Sequence, residues 1–431
     1  MLFTVCVGRK KKKRMKSKQQ SHHRFFLGIV AIFPIIDVLN GLFLSLGIPF
    51  PIGVFYRLLF FLFLVIMIVT EKIPHSYYTY LTYGFIAVTL TIFLLQALFL
   101  GYSWQWVIED LSVYIKYLLW VLIPYYVYQR KNDFSKLHYD SLFIVISVCF
   151  TLGLLIPYFL GLGYQTYDNS DAGYKGYFFA NNDTSFAFIV SITFTVQALI
   201  VSIKEQTHKF SLFLASLFAG NFVCLVLVGT KTGVFYGVGV LFYLLIRLVL
   251  GIERKAFLQQ LFIWFMSFIT IAWLLIQGLP LLIQAVEGTY LRMVYFYHLF
   301  DGDLIRLFSS SRSDFLIGGM NAFLNDEARH FTMIFGQGFE YRLAHFGRLG
   351  LIEMDFFDTL FGQGLLGIAL LLLMLAYFVY LAFQPRKRSV YSFALIVVLF
   401  YSFFAGHVLY SALSSTFLGL ICGGIILTEK E

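Results

Sequence analysis

Charged residues are scarce in this chain: Asp, Glu, Lys and Arg make up 13% of its 431 residues, whereas 59% are hydrophobic. A soluble domain does not tolerate this much apolar surface, so the composition excludes a cytosolic enzyme. The mean hydropathy is +0.80, which is typical of a protein that crosses a lipid bilayer several times.

Cysteine and cofactor-binding motifs are also scarce. The chain has four cysteines, and they are too far apart in sequence to predict a disulfide framework or a cysteine-ligated metal. There is no glycine-rich loop of the nucleotide-binding type, so ATP is not implied. The histidines of the predicted outer surface lack the spacing of a metal site, and we expect no metal and no cofactor. These histidines are His298, His330, His345 and His407.

Acidic residues are fewer than basic ones, 23 against 32, which gives a formal net charge of +9. Part of the excess is the run Arg-Lys-Lys-Lys-Lys-Arg at 9–14, which precedes the first apolar segment. Such a run is typical of the cytoplasmic side of a membrane protein, where it contacts anionic lipid. No folded nucleic-acid reader accompanies it, so we expect no nucleic acid as a partner.

Apolar runs long enough to cross a bilayer as helices recur along the chain. They predict an all-α polytopic integral membrane protein with about 12 transmembrane helices. The runs are 25–46, 54–70, 79–100, 111–128, 141–163, 184–203, 210–229, 233–251, 257–286, 358–383, 390–406 and 408–427.

The compact basic clusters fall in alternate loops, as the positive-inside rule requires if the N-terminus is cytoplasmic. This alternation predicts that both termini are cytoplasmic and that a long polar segment forms one large extracytoplasmic loop. The predicted organisation is a cytoplasmic N-terminus at 1–24, transmembrane helices 1–9 at 25–286, the large loop at 287–357, transmembrane helices 10–12 at 358–427 and a cytoplasmic tail at 428–431.

Three basic residues, Arg57, Lys116 and Lys231, lie in or against apolar runs near their predicted outer ends. Ionisable groups at such depth usually mark a site or a pathway, although long basic side chains also reach the headgroups from helix ends without any function. All three lie on the outer side, against the positive-inside trend. Together with Lys175 and the arginines of the large loop, they favour a cationic site for a lipid-linked phosphate or pyrophosphate.

Within the large loop, residues 310–325 predict a short amphipathic helix. Ser310 or Ser311 is its expected N-cap, and Arg312 stands at its start. Phe323 belongs to the apolar stripe on one face. The helix would therefore lie on the protein and present Arg312 at its first turn.

An acidic cluster stands where the large loop returns to the membrane: Glu-Met-Asp at 353–355, followed by Asp358. Carboxylates at this depth need a cationic partner or water. Two interpretations remain open for Glu353: a general base that takes a proton from a sugar hydroxyl, or a salt-bridge lock between the loop and an arginine. His345 is a further acid–base candidate, whereas we expect His407, between two apolar runs, to pack or hydrogen-bond.

Four stretches resemble motifs of the O-antigen ligase/polymerase superfamily, which includes the Wzy-type polysaccharide polymerases of bacterial envelopes. In chain order they are Gly-Tyr-Phe-Phe-Ala-Asn-Asn at 176–182, Gly-Thr-Lys-Thr-Gly at 229–233, Ser-Arg at 311–312 with Phe-Gly-Gln-Gly-Phe at 335–339, and Glu-Met-Asp at 353–355 with Gly-Leu-Leu-Gly at 364–367. Two positions depart from the family pattern. Lys231 replaces an arginine, which loses bidentate phosphate binding, and Glu353 stands where ligases usually carry a catalytic histidine.

The resemblance implies a GT-C-like membrane glycosyltransferase that requires neither metal nor nucleotide. It would polymerise undecaprenyl-pyrophosphate-linked oligosaccharide repeat units into capsular, exo- or O-antigen polysaccharide at the outer face of the bacterial plasma membrane. Membrane lipids surround such an enzyme, and a chain-length regulator and a flippase are expected partners. The alternatives are an O-antigen-type ligase and a lipid-linked oligosaccharide flippase or other transporter.

The candidate site residues fall into three groups. We assign catalytic roles to Glu353, Asp355 and His345, pyrophosphate binding to Lys231, Arg312, Arg348 and Lys175, and glycan binding to Asn182 and Tyr177.

Overall fold

The computed structural model describes residues 2–167, 173–250, 287–288, 290–404 and 406–428, which are mostly helical. The first half contains α1 (Leu2–Ser45), α2 (Ile52–Thr70), α3 (Tyr77–Phe99), α4 (Trp104–Gln129), α5 (Lys131–Phe134), α6 (Tyr139–Phe159), α7 (Asn181–Lys204), α8 (His208–Val228) and α9 (Lys231–Leu250). The second half contains α10 (290–299), then α11 (Leu304–Ser309), α12 (Arg312–Leu324), α13 (Arg329–Phe335), α14 (Glu340–Phe346), α15 (Asp355–Phe383), α16 (Val390–Phe404) and α17 (Ala412–Leu427). Between α6 and α7, strands β1 (Tyr164–Gln165) and β2 (Tyr174–Gly176) form a short antiparallel hairpin.

Eight of the described helices are long and apolar enough to cross a membrane, and α16 and α17 are apolar but shorter. The eight are α3, α6, α7, α8, α15, α2, and the parts His22–Ser45 of α1 and Lys231–Leu248 of α9. The chain is therefore an all-α, multi-pass membrane protein. The predicted run 257–286 lies outside the described residues, so the total of about twelve spans stays a prediction, as do the domain boundaries and the location of 287–357 on the outer side.

Helix α4 runs through the middle of the bundle, and every residue from 117 to 127 is buried. It packs along α17, where Gly419 lies so close that a Cβ on this residue would be 2.9 Å from Ile123. Small residues permit such close approach between membrane helices. Because other helices surround α4, the polar residues in its N-terminal half, Asp110 and Lys116, face protein or an internal cavity.

Helix α15 is interrupted at Gly364, whose backbone has a left-handed φ of 69°. Backbone groups freed at membrane depth need partners within the protein. The N–H of Gln337 donates to the carbonyl of Phe361 at 2.9 Å, and Gln96 of α3 donates to the carbonyl of Gly362 at 2.7 Å. These bonds fix the first turns of α15 and the segment that precedes it.

The predicted amphipathic helix is confirmed as α12, with Arg312 as its first residue. Ser311 occupies the N-cap position, but its side chain makes no capping hydrogen bond. The apolar face of α12 is held by Phe323, which packs with Ile352 and Phe361. This small core ties α12 to the start of α15 and places Arg312 beside the acidic cluster.

Candidate functional site

A cavity of about 790 Å³ opens at the end of the bundle where α1 and α16 end and where α7 and α9 begin. Five cationic side chains and three carboxylates line it, so the lining carries a formal excess of positive charge before His407 is counted. Such a lining concentrates anions. The cations are Arg57, Lys116, Lys231, Arg292 and Arg312, and the carboxylates are Asp37, Asp183 and Glu353.

Glu353 is the acidic centre of this cavity. Its Oε2 accepts hydrogen bonds from Arg312 Nη2 at 2.6 Å and from Asn182 Nδ2 at 3.2 Å, while its Oε1 lies 4.0 Å from His407 Nε2. Burial acts to raise the pKa of Glu353, but the hydrogen bond from Arg312, the nearby charges and the Asn182 amide outweigh it and hold the pKa below its ordinary value. Glu353 is therefore an anion in the folded protein.

The backbone around this centre is conformationally unusual. Ser310, Ser311, Glu353 and His407 have positive φ angles of 53°, 64°, 63° and 61°. Non-glycine residues rarely adopt this region, and such strain clusters at functional sites because the surrounding structure must enforce it. Three of the four residues line the cavity themselves, and Ser311 directly precedes Arg312.

Lys231, Arg292 and Arg312 form what we call the cationic cluster. Their charges act on one another across this side of the cavity. Lys231 Nζ donates to the carbonyl of Leu307 at 2.6 Å, and the guanidinium of Arg292 lies 3.6 Å from the ring centroid of Tyr167. Arg312 also donates to the carbonyl of Phe404 at 3.2 Å. These neutral partners position the side chains of the cluster, and only Arg312 among the three also has a described carboxylate partner, Glu353.

A second set of charges comes from the membrane helices and is closer to neutral. Arg57 of α2 forms an ion pair with Asp37 of α1. Asp183 of α7 accepts hydrogen bonds from Ser411 Oγ at 2.6 Å and from the Oγ of a second serine at 2.8 Å. Lys116 lies within reach of the charges of Arg57 and Asp183. This part of the cavity suits polar, uncharged groups better than a multiply charged anion.

Large apolar side chains complete the lining. Leu44 at the end of α1, Phe179 before α7 and Phe404 at the end of α16 all border the cavity, and each is more than half exposed. The cavity therefore joins a cationic interior to an exposed apolar rim.

The structure brings together four of the nine predicted site residues: Asn182, Lys231, Arg312 and Glu353 all line the cavity. Asp355, two residues from Glu353, points elsewhere. Its buried carboxylate accepts from Ser402 Oγ at 2.6 Å and from the Val408 N–H at 2.9 Å. These contacts suit a residue that holds the turn before α17.

The other predicted residues are not part of the described cavity lining. His345 is exposed on α14, where its Nδ1 lies 2.8 Å from the carbonyl of Tyr341. Arg348 is exposed in the following 3₁₀ turn. Lys175 lies in β2, and Tyr177 after it packs its ring against Tyr164.

Asp37, Asp183 and His407 are cavity residues that we did not predict from the sequence. The two acids interrupt or begin apolar runs, and an ionisable residue in such a run is itself a signal for a site. We expected His407 to pack or hydrogen-bond within the protein. The turn between α16 and α17 places its Nε2 4.0 Å from Oε1 of Glu353, and the expectation stays a prediction.

Asp358, the remaining acidic residue of the cluster, has a structural role. Asp358 lies 3.7 Å from Arg342, and both side chains are fully buried; Asp358 also accepts from the N–H of Ile352 at 2.9 Å. Among the described residues, no group of three His, Cys, Asp or Glu side chains is arranged to hold a metal. The expectation that no metal is needed stays a prediction.

A family model described as an O-antigen ligase like membrane protein matches residues 19–287 and 297–431. The match includes Asn182, Lys231, Arg312 and Glu353, the four predicted residues that meet in the cavity. No curated protein matches the chain. Multiple apolar helices, the cationic cavity and a family match over most of its length agree: the chain belongs to the O-antigen ligase-like family of membrane proteins, which act in glycan assembly.

Proposed function

We propose that this protein is an oligosaccharide repeat unit polymerase, which joins undecaprenyl-pyrophosphate-linked repeat units into a polysaccharide at the outer face of the bacterial plasma membrane. One observation carries the proposal. The cationic cluster, the Asn182–Glu353 pair and an exposed apolar rim share a single cavity. A lipid-linked phosphosugar needs all three: cations for the pyrophosphate, polar groups for the sugar and apolar surface for the polyprenyl chain.

The cationic cluster is suited to hold the pyrophosphate of the donor. Arginine guanidinium groups grip phosphate oxygens in pairs, and lysine acts as a point charge. During transfer the bond between the sugar C1 and the phosphate oxygen breaks, and the pyrophosphate leaves with the electron pair. Lys231, Arg292 and Arg312 would offset the negative charge that develops on the pyrophosphate. Because these cations are already in place, they lower the activation barrier of the transfer without a rearrangement of the protein.

The opposite, nearly neutral part of the cavity is suited to the acceptor sugar. Asn182, Asp183 and Lys116 offer hydrogen-bonding groups to hydroxyls. The acceptor hydroxyl attacks C1 of the donor sugar, a new C1–O bond forms, and the hydroxyl proton passes to a base of the protein. The product is a longer glycan on the acceptor's carrier and a free undecaprenyl pyrophosphate.

An O-antigen-type ligase is the second candidate, because the family description names that activity. The same cavity would serve it with a different acceptor. A flippase is less well supported. It requires polar groups along a route through the bilayer, whereas the charges of this cavity gather at one end of the helices.

The test is to delete the gene and to extract the undecaprenyl-linked glycans. For a polymerase we expect single repeat units to accumulate and polymer to disappear. Accumulation of full-length carrier-linked polymer would identify a ligase, and accumulation confined to the cytoplasmic leaflet would identify a flippase.

Complementation of the deletion strain then tests the site. With Arg312→Ala we expect single lipid-linked repeat units to accumulate and no polymer to form, because the protein loses one of the guanidinium groups proposed to bind the donor pyrophosphate. Arg329→Ala is the matched control, since Arg329 is an exposed arginine of the same loop that does not line the cavity. Normal polymer from Arg312→Ala would refute the assigned role.

A further inference from the structure

We propose that His407 is the catalytic general base that takes the proton of the acceptor hydroxyl, and that Glu353 is the positioning residue that orients its imidazole. This inference rests on the proposed glycosyl transfer, and it assigns the base to a residue outside the acidic cluster. His407 and Glu353 thus have separate roles in the cavity: His407 takes the proton, and Glu353 orients the imidazole.

The two carboxylate oxygens of Glu353 have different partners. Oε2 is occupied by Arg312 at 2.6 Å and by Asn182 at 3.2 Å. Within the described part of the chain, the polar partner of Oε1 is His407 Nε2, at 4.0 Å. A carboxylate that is paired with a guanidinium is a poor proton acceptor, because the pairing stabilises its charged form. The same carboxylate is a good partner for an imidazole. It fixes the tautomer by accepting from one ring nitrogen, and it stabilises the imidazolium that forms when the other takes a proton.

The backbone holds His407 and Glu353 next to each other. Gly406 packs so tightly on the carbonyl of Glu353 that no side chain fits there. Both Glu353 and His407 adopt left-handed φ angles, of 63° and 61°. Two strained residues in contact across 54 positions of sequence indicate that the arrangement is enforced by the fold. A histidine that only packed between α16 and α17 would not require strained backbone angles at both positions.

His407 is also accessible from the cavity. Its side chain is 27% exposed and that of Glu353 is 42% exposed, both within the cavity. The carboxylates whose charges act on it are Glu353, at 4.0 Å, Asp183 of α7 and Asp355, whose own hydrogen bonds go to Ser402 and the turn before α17. The cation Arg312 of α12 is engaged by Glu353.

The step balances as follows. Neutral His407 donates its Nε2–H toward Glu353 Oε1, after the 4.0 Å gap between these atoms closes on substrate binding, as such gaps commonly do. Its Nδ1 takes the proton of the acceptor hydroxyl while the hydroxyl oxygen bonds to the donor C1. The C1–phosphate oxygen bond breaks, and the pyrophosphate keeps the electron pair. The imidazolium then releases its proton to water or to the departing pyrophosphate.

The experiment uses full-length protein, purified and reconstituted in lipid vesicles, with the lipid-linked repeat units that accumulate in the deletion strain as substrate. His407→Asn removes the base and suits the left-handed backbone, which asparagine tolerates. We expect the rate constant for polymerisation to fall by about 10²–10⁴-fold, with unchanged binding of undecaprenyl pyrophosphate and an unchanged thermal unfolding temperature. His330→Asn is the control and should match the wild type, because His330 is an exposed histidine on α13 that does not line the cavity.

Chemical rescue provides the second measurement. His407→Gly removes the imidazole and suits the left-handed backbone, and added imidazole should restore part of its lost rate, because a free base can take the hydroxyl proton. Glu353→Gln should lower the wild-type rate more than this rescued rate, since free imidazole does not depend on Glu353 for its orientation. A His407→Asn protein that keeps the wild-type rate, or a Glu353→Gln change that lowers both rates equally, would overturn the inference. Wild-type protein that forms no polymer from these substrates would instead refute the proposed function.

Discussion

The carbonyl oxygen of Glu353 lies where a side chain of residue 406 would have to begin: a Cβ built on Gly406 would be 1.8 Å from it. Gly406 has a φ of 62°, in the region that favours glycine. The short turn between α16 and α17 therefore packs directly on the backbone of the acidic cluster. This contact joins the two segments that carry Glu353 and His407.

Gly406→Ala should consequently disturb the site without removing any functional group. The added methyl group must displace Glu353 or the turn, so we expect loss of polymer in the complemented deletion strain and a lower thermal unfolding temperature. Gly84→Ala is the matched control, because a Cβ at this helical position meets nothing within 4 Å. A Gly406→Ala protein with wild-type polymer and stability would show that the contact is dispensable.

Asp355→Asn should act on stability rather than on chemistry. The buried carboxylate accepts from Ser402 Oγ and from two backbone N–H groups of the turn before α17. The side-chain amide of the substituted asparagine would point its NH2 group at one of these three donors. The unsatisfied contact costs about 1–3 kcal/mol of folding stability. Thermal unfolding in detergent measures this loss. If Asp355 were instead the base, Asp355→Asn would abolish transfer at unchanged stability, and Glu353→Gln provides the comparison in the same motif.

Asp110 of α4 caps α14 from 230 residues away. Its carboxylate accepts from the N–H of Glu340 at 2.8 Å and from the N–H of Phe339 at 3.3 Å. Loss of such a cap costs about 1 kcal/mol, so Asp110→Ala should accelerate hydrogen exchange at the amides of 339 and 340. Asp314→Ala, which breaks an exposed ion pair with Arg306, should leave those amides unchanged because exposed pairs contribute little.

Glu340 predicts a pH dependence. Partial burial and the neighbouring carboxylates of Glu109 and Asp110 raise the pKa of Glu340 to about 7, from an ordinary value of 4.5. As the pH rises through this window, the unfolded chain loses the proton while the folded chain retains it, so folding stability falls with pH. Glu340→Gln should therefore gain thermal stability relative to wild type at pH 8 but not at pH 4. Glu327→Gln, at an exposed carboxylate of the same loop, should show no such difference; equal behaviour of the two variants would contradict the prediction.

Hydropathy and charge placement predicted much of this fold because both act locally. Apolar runs predicted most of the helix positions, and basic residues at the ends of spans pointed to the cavity that Lys231 and Arg312 share. Glu353 and Asp355 show the limit. They are two residues apart in one polar motif, yet one faces the cavity and the other a turn, because the left-handed backbone at Glu353 breaks any regular periodicity.

Long-range contacts account for the other differences. A single helix was expected over 358–383, but Gly364 interrupts it, and the break is stabilised by Gln96 and Gln337 from distant segments. His407 reaches the cavity because a turn packs on Glu353, which no local pattern of residues reveals. Both features depend on which segments meet, and a single sequence does not specify that directly.

The cavity draws its lining from nearly the whole length of the chain, from Asp37 in the first helix to Ser411 just before the last. Because a membrane protein is made and inserted from the N-terminus onward, Arg57 and Asp37 enter the bilayer long before His407 and the residues around Ser411. The cavity therefore cannot have its full lining until the last helix has been synthesised.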